Sequence, residues 1–251
     1  MDAILVSDLT KVYPGGFVGV SGVSFRVEEG EIYCLIGPNG SGKTTTLRIV
    51  STVLKPTSGR VEICGVDALK NPLEARRLIS YLPEEAGGYE DLTGREFIEF
   101  FVRLRLKGSD AVEAIEEAYK ISGLGDALKR KVKTYSKGMR RLLALSAVLS
   151  VEPRVAILDE PTAGLDVERS LFIRDTIKGY NKSRGVSMLL SSHNMLEVEY
   201  LCDRVGIIYK GRIVAEGGVK ELKEEYGARN LEEVFVRAAG GSIGFEQGAS
   251  G

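Results

Sequence analysis

The segment GPNGSGKTT, Gly37 to Thr45, constrains the fold of this chain more than any other. It follows a β-prone apolar run, Ile32 to Ile36, and opens a helical pattern through Lys43 to Val53. Strand, glycine-rich turn and helix in that order is the setting in which G-x-x-x-x-G-K-[ST] carries chemical meaning. Gly37, Gly40 and Gly42 let the backbone wrap closely, so that N–H groups of the loop and the helix start face a polyphosphate. Pro38, Asn39, Ser41 and Thr45 belong to the same cradle, Lys43 reaches the β/γ oxygens, and Thr44 offers a hydroxyl to Mg²⁺.

A second element completes this chemistry. VAILDE, Val155 to Glu160, reads as a buried strand with two carboxylates at its carboxyl end, where open α/β sheets bind ligands. Asp159 is suited to hold Mg²⁺ through its water shell, and Glu160 to orient or deprotonate a water in line with a γ-phosphate.

With 43% hydrophobic and 27% charged residues and a net charge of -1, the 251-residue chain has material for a substantial core. It lacks the basic excess of a nucleic-acid binder, and Lys129, Arg130, Lys131 and Lys133 read as a solvated face. Cys34, Cys64 and Cys202 are odd in number, far apart and without a CxxC pair, so neither a disulfide framework nor a zinc site is indicated and a reducing cytosol fits. The longest uncharged apolar stretch, Leu142 to Val151, is half of the roughly 20 residues that span a bilayer. The start, MDAILVSDL, has no basic leader, so contact with a membrane is expected through a partner.

Strand signals come early: Ile4 to Val6, alternating Val23, Phe25 and Val27, then Arg60 to Cys64 and Ile79 to Leu82. From 86 to 150 the pattern is helical only. Thr93 and Glu96 make a capping-box pair, and Asp110 with Glu113 repeats the start signal. Strands return at Val155 to Leu158, Ser187 to Leu190 and Val205 to Ile208, with a hairpin turn at Tyr209 to Arg212. The expected division is an α/β core (1–85 and 151–219), an inserted helical lobe (86–150), a helical extension (220–239) and an unstructured tail (240–251).

Three further strings lie around these motifs: YSKGMRRLLALSAVLS from Tyr135, PTAGLD from Pro161 and SSHNMLEVE from Ser191. In this order they resemble the ATP-binding cassette family over roughly 2–220, and particularly the nucleotide-binding subunits of drug and polysaccharide exporters. The resemblance implies an α/β P-loop NTPase core with a mixed sheet, N-terminal antiparallel β elements and an inserted α-helical lobe. It also implies ATP and Mg²⁺ as cofactors, an ATP-sandwich homodimer, a separate transmembrane permease and a peripheral place on the inner face of the cell membrane.

By the same resemblance Ser136, Lys137, Gly138 and Met139 form the signature that meets ATP held by the opposite subunit. Ser136 also suits a helix N-cap. His193, the only histidine, matches the switch residue that touches the γ-phosphate. Asp166 matches a residue communicating across the dimer, and Tyr13 one that stacks on adenine. Two departures stand out. Glu84 occupies the place of the usual glutamine, near Mg²⁺ or its water, and Lys137 and Met139 replace the commoner Gly and Gln. Glu84, Glu85 and Tyr89, with Phe97 and Phe101, border the groove expected for the permease, although the aromatics serve equally as lobe core. Alternatives are an ATPase of the family not coupled to a transporter, which would usually carry a coiled-coil, zinc or duplicated insertion, and a P-loop small-molecule kinase, which would have no reason to carry the signature or His193.

Overall fold

The computed structural model describes residues 1–85 and 89–241, so the expected tail lies outside the described residues from position 242 onward. In chain order the first elements are β1 (Asp2–Val12), β2 (Val18–Glu28), β3 (Ile32–Ile36), α1 (Lys43–Val50), β4 (Ser58–Ile63), β5 (Val66–Asp67), α2 (Pro72–Leu78) and β6 (Ile79–Leu82). Three helices follow: α3 (Gly94–Arg103), α4 (Gly108–Ser122) and α5 (Lys137–Leu149). Then come β7 (Val155–Asp159), α6 (Val167–Arg184), β8 (Ser187–Ser192), α7 (Met195–Leu201), β9 (Arg204–Tyr209), β10 (Arg212–Gly218), α8 (Val219–Glu225) and α9 (Leu231–Ala238).

Two sheets result. The first is antiparallel, in the order β2-β1-β4-β5, and the second runs β10-β9-β3-β8-β7-β6, parallel except for β10. Strand β3 lies inside the second sheet and is buried on both faces, which explains its unbroken IYCLI run. Its alternate residues serve different cores. Tyr33 and Leu35 join α1 and the first sheet, whereas Ile32, Cys34 and Ile36 pack with residues of α5, α6 and α7. Helix α1 contributes fully buried Leu47, Ile49 and Val50, each worth about 1.5–3 kcal/mol of burial, and so anchors the glycine loop rigidly.

A third core, with Ile98, Val102, Ala118 and Leu143, belongs to α3, α4 and α5. The Thr93–Glu96 box forms: the Glu96 N–H donates to Thr93 Oγ1 at 3.2 Å, and the Thr93 N–H donates to Glu96 Oε2 at 2.7 Å. The second start signal is corrected. Helix α4 begins behind Lys107 without a side-chain cap, and Asp110 lies inside its first turn, where its charge complements the helix dipole. At the β9–β10 hairpin Lys210 and Gly211 both take positive φ, 47° and 78°, as a two-residue primed turn requires.

Parallel pairing positions the site. Ile36 pairs with Ser192, and Asp159 pairs with Ser191, so the carboxyl ends of β3, β8 and β7 stand side by side. The glycine loop, the His193 segment and the Asp159–Glu160 pair therefore leave the sheet at one edge.

Candidate active site

Glycine is required in the loop for space. A Cβ on Gly37 would collide with the carbonyl oxygen of Ile208, and one on Gly42 would lie 2.7 Å from Gly19 O and Val20 Cγ1. Gly42 also takes φ +111° and, as the residue before α1, brings no side-chain cap, leaving the first-turn amides of the helix to other acceptors. Ser41 Oγ is buried without a partner. Lys43 is only 5% exposed; its Nζ donates to Gly37 O at 2.8 Å and to Pro38 O at 3.2 Å. Free helix-start amides, an orphan hydroxyl and a buried ammonium on one loop suit a polyphosphate.

Across from the loop, Glu160 is 6% exposed and bonded to two cationic or ionisable groups. Lys43 Nζ lies 3.5 Å from Oε1, and His193 Nδ1 lies 2.9 Å from Oε2. With Nδ1–H donating to the carboxylate, the other ring nitrogen of the half-exposed imidazole is left available. Glu160 has φ +48°, a conformation costing a non-glycine residue on the order of 1 kcal/mol. Neighbours hold it there: the Glu160 N–H donates to Ser191 Oγ at 3.0 Å, and Arg141 Nη2 donates to Glu160 O at 3.0 Å.

Asp159 is fully buried and accepts three hydroxyls, from Ser191 at 2.6 Å, Thr44 at 3.2 Å and Tyr81 at 3.4 Å. Burial, followed by the Asp159 charge, pushes the Tyr81 phenol up to about 12, so it remains a donor. The Thr44 hydroxyl and Asp159 carboxylate form a hard oxygen pair of the kind Mg²⁺ takes. Among the described residues no cluster of three or more His, Cys, Asp or Glu side chains offers a metal site by itself, so phosphate and water oxygens would complete such a shell.

The remaining expected residues divide into two groups. Tyr13 joins the loop: its hydroxyl lies 3.1 Å from Thr45 Oγ1, and its ring stands 6.0 Å from that of exposed Phe17. Glu84 does not join Thr44 or Asp159 by any hydrogen bond or ion pair; its side chain is exposed, and only its backbone carbonyl is held, by Arg141. Ser136 caps α5 through Met139 N–H at 3.3 Å, and Asp166 caps α6 through Arg169 N–H at 2.9 Å. Lys137 packs on Gly164, and Arg169 lies over Gly138, so the signature segment and the loop before α6 share one surface. No hydrogen bond or ion pair connects Ser136, Lys137 or Gly138 with the glycine loop.

Beside β6 a groove of about 370 Å³ is lined by Tyr81, Pro83, Glu85, Phe97, Phe101 and Arg105, among others. Tyr89, half exposed, contacts the rings of Phe97, Phe100 and Phe101, so these aromatics are both lobe packing and groove wall.

Arg141, Ser191, Thr162 and Glu197 escaped the sequence reading. Arg141 is 6% exposed and donates to the carbonyls of Pro83, Glu84, Asp159, Glu160 and Pro161, from 2.5 to 3.0 Å. Its only signal was an arginine on the otherwise apolar face that begins at Leu142.

Residues 20–163 match the family model described as ABC transporter. The daunorubicin resistance ATP-binding protein DrrA3 of Streptomyces coeruleorubidus is 37% identical over 239 residues, which cover 95% of this chain and 75% of the relative. The bacitracin transport ATP-binding protein BcrA of Bacillus licheniformis is 38% identical over 221 residues, covering 88% and 71%. A solved structure described as the ATP-binding subunit of an ABC transporter superposes with a TM-score of 0.84 at 28% identity, covering 94% of this chain and 99% of that one.

Proposed function

Because this chain belongs to the ABC transporter family, we propose that it works as an ATP-driven homodimer coupled to a separate membrane permease, most plainly in export. It is a nucleotide-binding, ATP-hydrolysing subunit of that family. The observation that carries the mechanism is the contact chain Lys43–Glu160–His193 at the shared edge of β3, β7 and β8.

The amides of the Gly37–Thr45 loop and α1 bind the triphosphate of ATP, and Tyr13 stacks on its adenine. Lys43 then exchanges the carbonyls of Gly37 and Pro38 for β/γ-phosphate oxygens. Thr44 and Asp159 would hold Mg²⁺, with the exposed Glu84 side chain turned toward its water shell, and the ion would neutralise charge on the phosphates. Glu160 accepts the proton of the attacking water, with His193 holding its other oxygen.

The signature residues Ser136 to Met139 face away from their own glycine loop in bonding terms, and we assign them to the ATP of the second copy. Ser136 and Gly138 begin a capped helix, a place that favours phosphate, and Lys137 adds a cation there. Asp166, capping α6 on the same surface, carries the state of one site to the other. The segment 86–150 is taken as the lobe that moves, with the extension 220–239 packed on the core. The groove beside Phe97 and Phe101 receives the permease, which places the protein at the inner face of the membrane; no helix of the described residues is long and apolar enough to cross it.

The test is Glu160→Gln. It should bind ATP, release phosphate at least about a hundred-fold more slowly, and elute from a sizing column as a dimer with Mg²⁺-ATP. Elution as a monomer with ATP bound would remove the sandwich from this scheme.

A further inference from the structure

Behind the two catalytic side chains lies a buried polar pair that the reaction scheme does not use. Glu197, on α7, is 4% exposed, and Thr162, in the loop after β7, is 8% exposed. The Thr162 hydroxyl lies 2.5 Å from both carboxylate oxygens of Glu197. Taking a carboxylate out of water is costly unless it is hydrogen-bonded, and here burial pushes the Glu197 carboxyl up while the Thr162 hydroxyl pulls it back. A residue kept at such cost, with one partner, is placed for its geometry.

The position of the pair is informative. Thr162 follows Glu160 by two residues, and Glu197 lies in the first turn of α7 just after His193, with the N-cap Asn194 Oδ1 accepting the Glu197 N–H at 3.3 Å. Glu160 and His193 are themselves bonded at 2.9 Å. A closed ring therefore runs from the Glu160 carboxylate to the imidazole, along the start of α7 to Glu197, across to Thr162, and back through Pro161. Opening the ring at Thr162 leaves β7, β8 and the backbone ties of Glu160 in place but removes the direct side-chain tie between the loop after β7 and the start of α7.

We propose that Glu197 and Thr162 are positioning residues for ATP hydrolysis, forming a buried brace that sets the separation of Glu160 from His193. The proposal rests on the reading above that Glu160 and His193 serve the attacking water. The Thr162 hydroxyl and the Glu197 carboxylate make no hydrogen bond to the Gly37–Thr45 loop, so the brace acts on turnover rather than on binding. Displacement of a reacting group by about 1 Å can cost on the order of a hundred-fold in rate.

The experiment compares Thr162→Val, which keeps shape and removes the hydroxyl, with Thr162→Ser, which restores it, in the full chain. Thr162→Val should lower kcat between about ten-fold and a hundred-fold with KM for ATP within about two-fold, and Thr162→Ser should recover most of the loss. In combination with His193→Ala, Thr162→Val should add little, because both break one ring. His193 is the only histidine, so its imidazole proton signals report the ring directly by NMR: they should shift in Thr162→Val and return in Thr162→Ser. Glu197→Gln, which keeps an acceptor oxygen, should fall between wild type and Glu197→Ala and serves if a threonine variant does not fold. Wild-type kcat together with unmoved imidazole signals in Thr162→Val would overturn the brace. A wild type without ATP turnover would count against the function instead, and the imidazole signals would still decide the brace.

Discussion

Replacing Arg141 tests how the helical segment is joined to the catalytic edge. The guanidinium of this α5 residue donates to five backbone carbonyls, two after β6 and three at and after the end of β7, and has no carboxylate ion-pair partner among the described residues. Burial pulls it from the ordinary arginine range down to about 10. At about 1.4 kcal/mol per pH unit, that reflects a cost of roughly 3 kcal/mol for holding the charge inside. Hydrogen bonds from a charged donor contribute about 1.5–3 kcal/mol each, so five of them exceed the cost severalfold. Arg141→Ala removes the cost and the bonds together, but strands carbonyls inside, and a net loss of about 3–5 kcal/mol is expected. Arg141→Lys keeps the charge with three donors that cannot span both segments, and should lose about half as much.

The chain has no tryptophan, so far-UV circular dichroism in urea is the suitable readout. With a slope of about 3 kcal/mol per molar for a chain of this size, Arg141→Ala should lower the urea midpoint by about 1–1.7 M. A midpoint moved by less than about 0.3 M would mean that water satisfies the same carbonyls, and the guanidinium would not be the joint described here.

Two further outcomes follow from local geometry. Gly42→Ala places a methyl against backbone and Val20 at φ +111°, whereas Gly40→Ala at φ +76° meets nothing within 4 Å. The first should therefore cost well over the roughly 1–3 kcal/mol of backbone strain that limits the second, and should abolish binding of a fluorescent ATP analogue. Glu96 is held below the ordinary carboxyl value chiefly by the Thr93 N–H, so its contribution to folding is fully present above about pH 4.5 and is lost as pH falls through the lowered value. Glu96→Gln should accordingly lower the melting temperature at pH 7, and the gap to wild type should close in acid; a gap independent of pH would refute the charge-based cap.

The strand-loop-helix at Ile32–Val50 was legible because its parts are contiguous: the apolar run, the glycines and Lys43 each act on neighbours in sequence. The same holds for the Thr93–Glu96 box, and for Ser136 and Asp166 as caps. What could not be read depends on register. That Asp159 pairs with Ser191, and so receives its hydroxyl, follows from the β7–β8 alignment and not from either segment alone. Strand β5 and helix α2, of 2 and 7 residues, are too short to show a period. The second start signal misled because Asp110 and Glu113 have the right spacing, while the chain after Lys107 was already free to turn at Gly108. Glu84 is assigned to the metal by resemblance alone, since no local spacing marks it; in the structure Arg141 holds its carbonyl and its side chain is exposed.

The contacts of Arg141 and Glu197 restrict how this site can move. Arg141 belongs to α5, which starts at Ser136, and it grips the carbonyls of Pro83, Glu84, Asp159, Glu160 and Pro161 with one rigid planar group. A shift of α5 along its axis would break several of those bonds at once. On the other side of Glu160 the loop is tied by Thr162 to Glu197 and hence to α7, while Glu199 of the same helix bonds Lys223 of α8 and the Leu231 N–H of α9. The helix after His193 is thus fixed at both faces, and in the proposed scheme any movement of α5 has Arg141 as its joint to the catalytic edge. Such a movement swings Ser136 and Gly138, one helical turn from the joint, while Glu160 and His193 keep their 2.9 Å contact.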